Sequence, residues 1–195
     1  MIGKRVLAML VAAGLALSCN DSSGPGGDTA SATDPSGDVF GADSIKPDLT
    51  RVTVTHDGGG LLIVMEFTAN PIPIFKDSIY GTGGIVDLDV DQDSTTGSQT
   101  WADFYRPSGS SGMGEEYYLQ FLSYGADSTV SVNTDAGAPT GSVRPVFNGK
   151  QVSLRIPLTM IGNDDGSVNV AVLVGSKLAP SDVAPNAGHI KVGGT

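Results

Sequence analysis

The chain has 195 residues, with 21 acidic and 11 basic side chains and a formal net charge of −10 at pH 7. This acidic balance argues against binding to nucleic acid and against electrostatic docking on anionic lipid. Cys19 is the only cysteine, so no disulfide within the chain can stabilise the fold, which must rely on its apolar core or on that core together with bound ions.

The start of the chain has the pattern of a bacterial lipoprotein signal peptide. Lys4 and Arg5 provide its basic end, and residues 6–17 form an unbroken run of small and apolar side chains that is too short to span a bilayer. The run ends in Leu17-Ser18-Cys19, which resembles a lipobox, the motif that precedes a lipidated cysteine. We expect residues 1–19 to be a signal peptide with a lipobox and Cys19 to carry the lipid. The alternative is an ordinary signal peptide cleaved nearby, with Cys19 incidental.

Residues 20–37 contain no large apolar side chain and are rich in Gly, Ser, Asp and Thr. This composition predicts a flexible tether between the lipid and one folded domain over residues 38–195. Acylation of Cys19 by two or three chains is enough for stable membrane anchoring. Asn20, and not an aspartate, follows the cysteine, which favours the outer membrane within the cell envelope.

Short strands separated by Gly, Pro and Asn turns follow one another through the domain. Residues 49–56 and 61–68 flank an Asp-Gly-Gly-Gly turn, which predicts a hairpin, and Asn148-Gly149 predicts a second hairpin. Further predicted elements are an aspartate-rich strand from residue 85, strands over 101–105, 116–124, 129–133, 143–147, 151–156, 168–174 and 189–192, and one helical turn over 157–162. About nine short strands without a long helix predict an all-β fold, an antiparallel β-sandwich.

The aspartate-rich strand carries the strongest candidate site. Four aspartates occupy every second position: Asp87, Asp89, Asp91 and Asp93. Because side chains alternate along a strand, Val86, Leu88 and Val90 are expected to face the core and the aspartates to form a ridge on the other face. Carboxylates ~7 Å apart repel each other by ~2 kcal/mol at an effective dielectric constant of 20. A hard cation would relieve this repulsion, and Ca²⁺ takes six to eight oxygen ligands.

We therefore predict a calcium site at the four aspartates, with Asp103 on the next predicted strand returning to the same end. The segment is not an EF-hand, because Gln92 and Ser98 stand where that loop needs glycine and glutamate. The chain must curl after Asp91 to surround an ion, and the Ser94–Gly97 turn is suited to this. The alternative is a solvated acidic face on an edge strand, and Mg²⁺ is disfavoured because it prefers fewer carboxylates and more water.

Several short motifs together resemble a known group of domains. They are Ser36-Gly37-Asp38, Pro47-Asp48, the Asp-x-Asp-x-Asp strand followed by Thr-Gly, Trp101-Ala102-Asp103, a late Ile-Pro-Leu turn and Asp182-Val183-Ala184-Pro185-Asn186. Residues 38–195 thereby resemble the jelly-roll sandwiches of bacterial secreted proteins related to family 9 carbohydrate-binding modules and DOMON domains. The resemblance implies a jelly-roll topology and a domain that binds calcium, sugars or, in a minority of cases, haem.

Other candidate sites have a weaker basis in the sequence. Asp38, Asp43 and Asp48 form a possible second ion site, although Asp and Gly at a domain entry are usually turn formers. Trp101 lies at a loop exit and is the candidate sugar-stacking residue. A haem would need axial ligands such as His56, His189 or Met65.

Catalysis is not supported by any motif in the chain. The sequence contains no nucleophile elbow, zinc-binding histidine pair or phosphate loop, and adjacent Glu115 and Glu116 are expected to face opposite sides of a strand. The sequence thus predicts a non-enzymatic, calcium-stabilised, lipid-anchored envelope domain that binds a glycan or an envelope protein. The alternatives are a structural surface lipoprotein without a specific ligand and, more remotely, a hydrolase accessory domain.

Overall fold

The protein is described by a computed structural model over residues 28–77, 79–121, 128–176 and 179–193. In these ranges, twelve strands form two antiparallel sheets that pack against each other, so the predicted all-β antiparallel sandwich is confirmed. The predicted signal peptide, Cys19 and the end of the predicted strand 116–124 lie outside the described residues. Within the part of the chain that is described, no helix has the length and hydropathy needed to cross a membrane.

The first sheet contains five strands. Their order is β1 (Thr29–Thr33), β2 (Leu49–His56), β3 (Gly60–Phe67), β9 (Gln151–Pro157) and β8 (Val146–Asn148). Both predicted hairpins are present, β2 with β3 and β8 with β9. Gly149 has φ +56°, the left-handed conformation that a tight two-residue turn requires.

The second sheet is larger. Its order is β11 (Pro180–Ala184), β10 (Val168–Ser176), β4 (Thr82–Asp89), β5 (Tyr117–Gln120), β6 (Val130–Thr134) and β7 (Pro139–Val143), and β12 (Ile190–Val192) also pairs with β10. One short helix, α1 (Trp101–Tyr105), and one 3₁₀ turn, Leu158–Met160, complete the described elements. The 3₁₀ turn confirms the helical turn predicted after Pro157.

The main core lies between the two sheets. Val52, Val54, Ile63 and Leu154 are fully buried there, each on the face of its strand that points towards the other sheet. A second apolar cluster lies on the outer face of the larger sheet, where Ala102 and Met113 pack over side chains of the sheet itself, namely Ile85, Ala171, Leu173 and Val183. Strand β4 is therefore covered on both faces, and the aspartates on its outer face, Asp87 and Asp89, are buried.

The tether predicted over residues 20–37 is wrong for its second half. Thr29–Thr33 forms β1, an edge strand that pairs antiparallel with β2, with Ala30 opposite Val54 and Ala32 opposite Val52. Strand pairing is made by backbone groups and needs no large side chain, so a segment of alanine, serine and threonine can form it without an apolar signature. The folded part of the chain begins before residue 38.

The strand predicted over 101–105 is also wrong, because these residues form helix α1. Thr100 caps the helix, and its Oγ1 accepts a hydrogen bond of 3.1 Å from the backbone N–H of Asp103. Five residues are too few for alternation to be distinguished from helical periodicity. The strand predicted over 143–147 is instead divided at Pro145, where the chain leaves β7 in one sheet and enters β8 in the other.

Candidate metal centre

The predicted ridge of four exposed aspartates is wrong in its geometry. Strand β4 ends at Asp89 and lies between β10 and β5, so it is not an edge strand. Asp87 and Asp89 are both fully buried on its outer face, whereas Asp91 and Asp93 are exposed in the loop that follows. The alternation predicted the side-chain directions correctly, but the outer face is covered by the segment that includes α1 and Met113.

Asp87 belongs to a separate pair with Glu115. Its Oδ2 accepts a hydrogen bond of 2.8 Å from the backbone N–H of Ala102, and its Oδ1 has no donor from another residue. Burial, together with the neighbouring Asp87 carboxylate, raises the pKa of Glu115 to about 10. A proton held between the two carboxyl groups satisfies both, and this pair is therefore a structural contact under α1 and not a metal centre.

Asp93 and Asp103 do not join the other predicted ligands. Oδ1 of Asp93 accepts hydrogen bonds from the backbone N–H (2.9 Å) and hydroxyl (2.7 Å) of Thr95, which lower its pKa. Asp103 forms an ion pair of 3.0 Å with Arg106 and accepts hydrogen bonds from Ser110 and Ser111. The prediction of Asp103 as a ligand assumed a strand, and the helix at 101–105 gives its carboxylate different partners.

Asp89 and Asp91 do come together, and the third member of their group is Glu116. One carboxylate oxygen from each lies within 4.8 Å of the others. Oδ2 of Asp89 accepts a hydrogen bond of 3.0 Å from Nδ2 of Asn169, which lies opposite on β10. Oδ1 of Asp89 and Oδ1 of Asn169 are buried and have no hydrogen-bond donor. Two buried acceptors without donors, beside two further carboxylates, form an environment that favours a cation.

The loop after β4 supplies the curl that the sequence analysis required. Gln92 has φ +56°, and the backbone N–H of Thr96 donates to the carbonyl of Asp93 at 3.1 Å. The Thr96 hydroxyl lies 2.8 Å from Oδ2 of Asp91 and 3.1 Å from Oε1 of Glu116, so it bridges the two carboxylates. The loop therefore folds back over the end of the strand and brings Asp91 towards Asp89.

Two glycines allow this close approach. A Cβ at Gly114 would overlap the carbonyl oxygen of Thr96, and a Cβ at Gly97 would lie 2.5 Å from Oε1 of Glu116. Gly97 also has φ +67°, which favours glycine. Backbone hydrogen bonds of 2.9 and 2.8 Å between Ser98 and Glu115 then attach the loop to the chain that enters β5. The position of Glu116 is thus fixed relative to the aspartates.

The electrostatics of the group agree with this geometry. The pKa of Glu116 is raised, chiefly by burial and also by Asp91 and Asp89, even though the Val90 N–H and the Thr96 hydroxyl stabilise its charged form. The candidate ligand atoms are one carboxylate oxygen from each of Asp89, Asp91 and Glu116, and such oxygens are the ligands of a hard cation. Three carboxylates favour Ca²⁺ over Mg²⁺, which keeps more of its water.

The three residues considered for a second ion site are separated. Asp43 accepts a hydrogen bond from Ser176, and Asp48 accepts bonds of 3.2 and 3.0 Å from the N–H of Gly37. Asp38 instead forms a group with Asp34 and Asp182, whose oxygens lie within 4.8 Å of one another. Burial, as the first cause, and neighbouring carboxylates raise the pKa of Asp34 to about 8 and that of Asp182 to about 7.

Trp101 is only half-buried and packs on the outer apolar cluster. Its ring stacks on Tyr105 with a centroid distance of 6.4 Å, and Tyr105 contacts Phe104 edge-on at 4.9 Å. Phe104 is 66% exposed and is the most accessible ring of this group. Among the residues considered for haem, Met65 is fully buried in the main core, and Nδ1 of His189 lies 2.7 Å from the carbonyl of Ser111.

The sequence does not predict three members of the two acidic groups, Glu116, Asp34 and Asp182, or the neighbouring Asn169. Asn169 reaches Asp89 from the neighbouring strand β10, and Glu116 reaches it from the segment just before β5. Nothing in a single sequence specifies which strands are neighbours. Asp34 lies in the segment predicted as tether. Asp182 lies in the motif Asp182-Val183-Ala184-Pro185-Asn186, but the sequence of this motif does not indicate that its aspartate is buried.

No family model and no curated protein matches this sequence. The fold and the site define the class of the molecule, an antiparallel β-sandwich with two groups of converging carboxylates at the ends and edges of its sheets.

Proposed function

We propose that the chain is a calcium-stabilised β-sandwich of the cell envelope, anchored by lipid at Cys19 and acting as a non-catalytic binding module. The observation that carries the proposal is the group formed by Asp89, Asp91 and Glu116, in which a fully buried aspartate keeps one oxygen without a donor. A buried carboxylate is costly unless it is paired, and no basic side chain is among the charges that act on the pKa of Glu116. Calcium would supply the missing positive charge.

The site would contribute to stability and not to catalysis. The loop after β4 contacts the start of β5 through Ser98 and Glu115, and a cation at Asp89 and Glu116 would bind the same two segments together. Binding of a ligand to the folded state alone stabilises that state in proportion to the logarithm of its concentration. A secreted domain without a disulfide benefits from such a contribution.

Calcium titration of the full chain tests the proposal. We expect saturable binding by isothermal titration calorimetry, with a loss of about tenfold or more in affinity in E116Q, because a carboxylate ligand is replaced by an amide. D165N is the matched control, since Asp165 is an exposed acidic residue whose carboxylate accepts a local hydrogen bond from Ser167. Equal affinities in the wild type, E116Q and D165N would contradict the proposal.

A glycan-binding role is the second candidate, and the exposed rings beside Trp101 favour it. Phe104 and Tyr105 project from α1 and offer faces on which a sugar ring could stack. We expect F104A to abolish binding on a glycan array without lowering the melting temperature, whereas W101A removes packing as well. An array on which the wild type binds nothing would favour a protein partner or the structural lipoprotein alternative.

A further inference from the structure

The second acidic group joins three segments that are far apart in the sequence. Asp34 follows β1, Asp38 lies in the loop after it, and Asp182 lies within β11. β1 is the edge strand of the smaller sheet, and β11 is at the edge of the larger one. The group therefore lies where the margins of the two sheets meet.

Asp34 is the unusual member of this group. Its side chain is 7% exposed, and neither of its carboxylate oxygens has a hydrogen-bond partner. Buried polar atoms in folded proteins are almost always hydrogen-bonded. Protonation would neutralise the charge but would leave an oxygen without a donor, whereas a bound cation satisfies both the charge and the oxygens.

The other members are held in position to share a ligand. Oδ2 of Asp182 accepts a hydrogen bond of 2.7 Å from the backbone N–H of Leu49, and its Oδ1 accepts one of 2.8 Å from Val183. Nδ2 of Asn186 donates to Oδ2 of Asp38. All the neighbouring charges that act on Asp34 are carboxylates, namely those of Asp182, Asp38 and Asp48. The group has converging anionic oxygens and no cationic side chain to balance them.

We propose that Asp34, Asp38 and Asp182 form a second divalent-cation site, separate from the one at Asp89, and that the bound ion fastens β1 to the sandwich. The donors are oxygen atoms only, so the ion is a hard cation of the calcium type. Asp34 holds it from the end of β1, and Asp182 holds it from the opposite sheet.

Strand β1 gains from such a fastening because it buries little apolar area, although it also contacts β12 of the larger sheet. It pairs with β2 on one side only, and the side chains that it turns inward are Ala30 and Ala32, which are partly buried and contribute little apolar area. With the ion bound, β1 is held as part of the folded domain. If β1 detaches, residues 28–38 can extend by up to ~35 Å. The domain could then lie that much farther from the membrane, a consequence that rests on the proposed lipid anchor at Cys19.

Counting bound ions tests the site. In native mass spectrometry of the full chain with calcium, we expect two ions on the wild type, one on D34N and one on D89N. D38N, at an exposed residue, should also lose one ion and keeps the test possible if D34N does not fold. If the wild type binds a single ion and D34N or D38N removes it, the site at Asp34 is supported. The proposed calcium site at Asp89 would then be refuted. An ion count unchanged in D34N and D38N would overturn the inference.

Hydrogen exchange shows whether the ion fastens β1. If opening of β1 releases the ion, calcium at ten times its dissociation constant should slow the exchange of the β1 amides about tenfold. The effect should persist in D89N and disappear in D34N and D38N. Equal protection of β1 by calcium in D34N, D38N and the wild type would refute the fastening role.

Discussion

The change in the free energy of unfolding caused by D89N should have opposite signs in calcium and in EDTA. In EDTA, the substitution removes one of three carboxylates whose oxygens lie within 4.8 Å of one another. The amide that it introduces can also donate to Oδ1 of Asn169, which has no donor in the wild type. The metal-free variant should therefore be at least as stable as the wild type, and one added hydrogen bond contributes about 1 kcal/mol.

In excess calcium the order should reverse. At a calcium concentration of 100 times the dissociation constant, binding stabilises the folded state by about 2.7 kcal/mol. For a domain of this size, each kcal/mol shifts the melting temperature by roughly 2–4 °C, so the wild type should gain about 5–10 °C from this site. D89N should lose most of that gain, because the fully buried ligand no longer carries a charge.

Thermal unfolding followed by circular dichroism, with and without calcium, measures both states of each variant. E116Q should behave like D89N, and D165N should follow the wild type in both conditions. A calcium-dependent rise that is equal in the wild type and D89N would place the ion elsewhere. A D89N variant that is several kcal/mol less stable than the wild type even in EDTA would show that Asp89 acts through its hydrogen bond with Asn169 and not through a metal.

Three further predictions concern other parts of the molecule. The pKa of Glu115 is about 10 in the folded state and near 4.5 when unfolded, so the folded state holds an extra proton and the free energy of unfolding in EDTA should fall as the pH rises from about 5 to about 10. E115Q should reduce the slope of this dependence in urea titrations, although Asp34 and Asp182 still contribute to it. An unchanged slope would show that Glu115 is already ionised. G114A should destabilise the fold by roughly 1–3 kcal/mol and remove the calcium ion bound at Asp89, because its Cβ would displace Thr96 and the loop that carries Asp91. An ion count in G114A equal to that of the wild type would show that the loop position is irrelevant. C19S should move the protein from the membrane fraction to the soluble fraction after cell fractionation, and retention at the membrane would contradict the lipid anchor.

The strands that could be predicted from the sequence are those with an apolar face that packs on the core. Residues 49–56 alternate because the strand has one covered and one open face, and they form β2. Residues 61–68, apolar on both faces until Glu66, and residues 151–156 were predicted from the turns beside them and form β3 and β9. β1 could not be predicted in this way, since its small side chains bury little and its position depends on the backbone of β2. For α1, the Thr-x-x-Asp spacing from Thr100 to Asp103 was a usable helix-start signal that outweighs alternation over five residues.

The candidate site was predicted in part for a similar reason. Alternation correctly places Asp87 and Asp89 on one face of β4, but it contains no information on whether that face is covered by other segments. Asp91 joins Asp89 because the loop curls, as the turn residues indicated, whereas Glu116 comes from the segment just before β5. Partners across a sheet are determined by topology, and a single strand does not encode its neighbours.

A crystal structure of the full chain grown with calcium, with anomalous diffraction data, tests the metal centre most directly. We expect an anomalous peak about 2.4 Å from Oδ1 of Asp89, with oxygens of Asp91 and Glu116 at similar distances. Density that instead shows a water molecule donating to Oδ1 of Asp89, with no anomalous signal in saturating calcium, would contradict the proposed site.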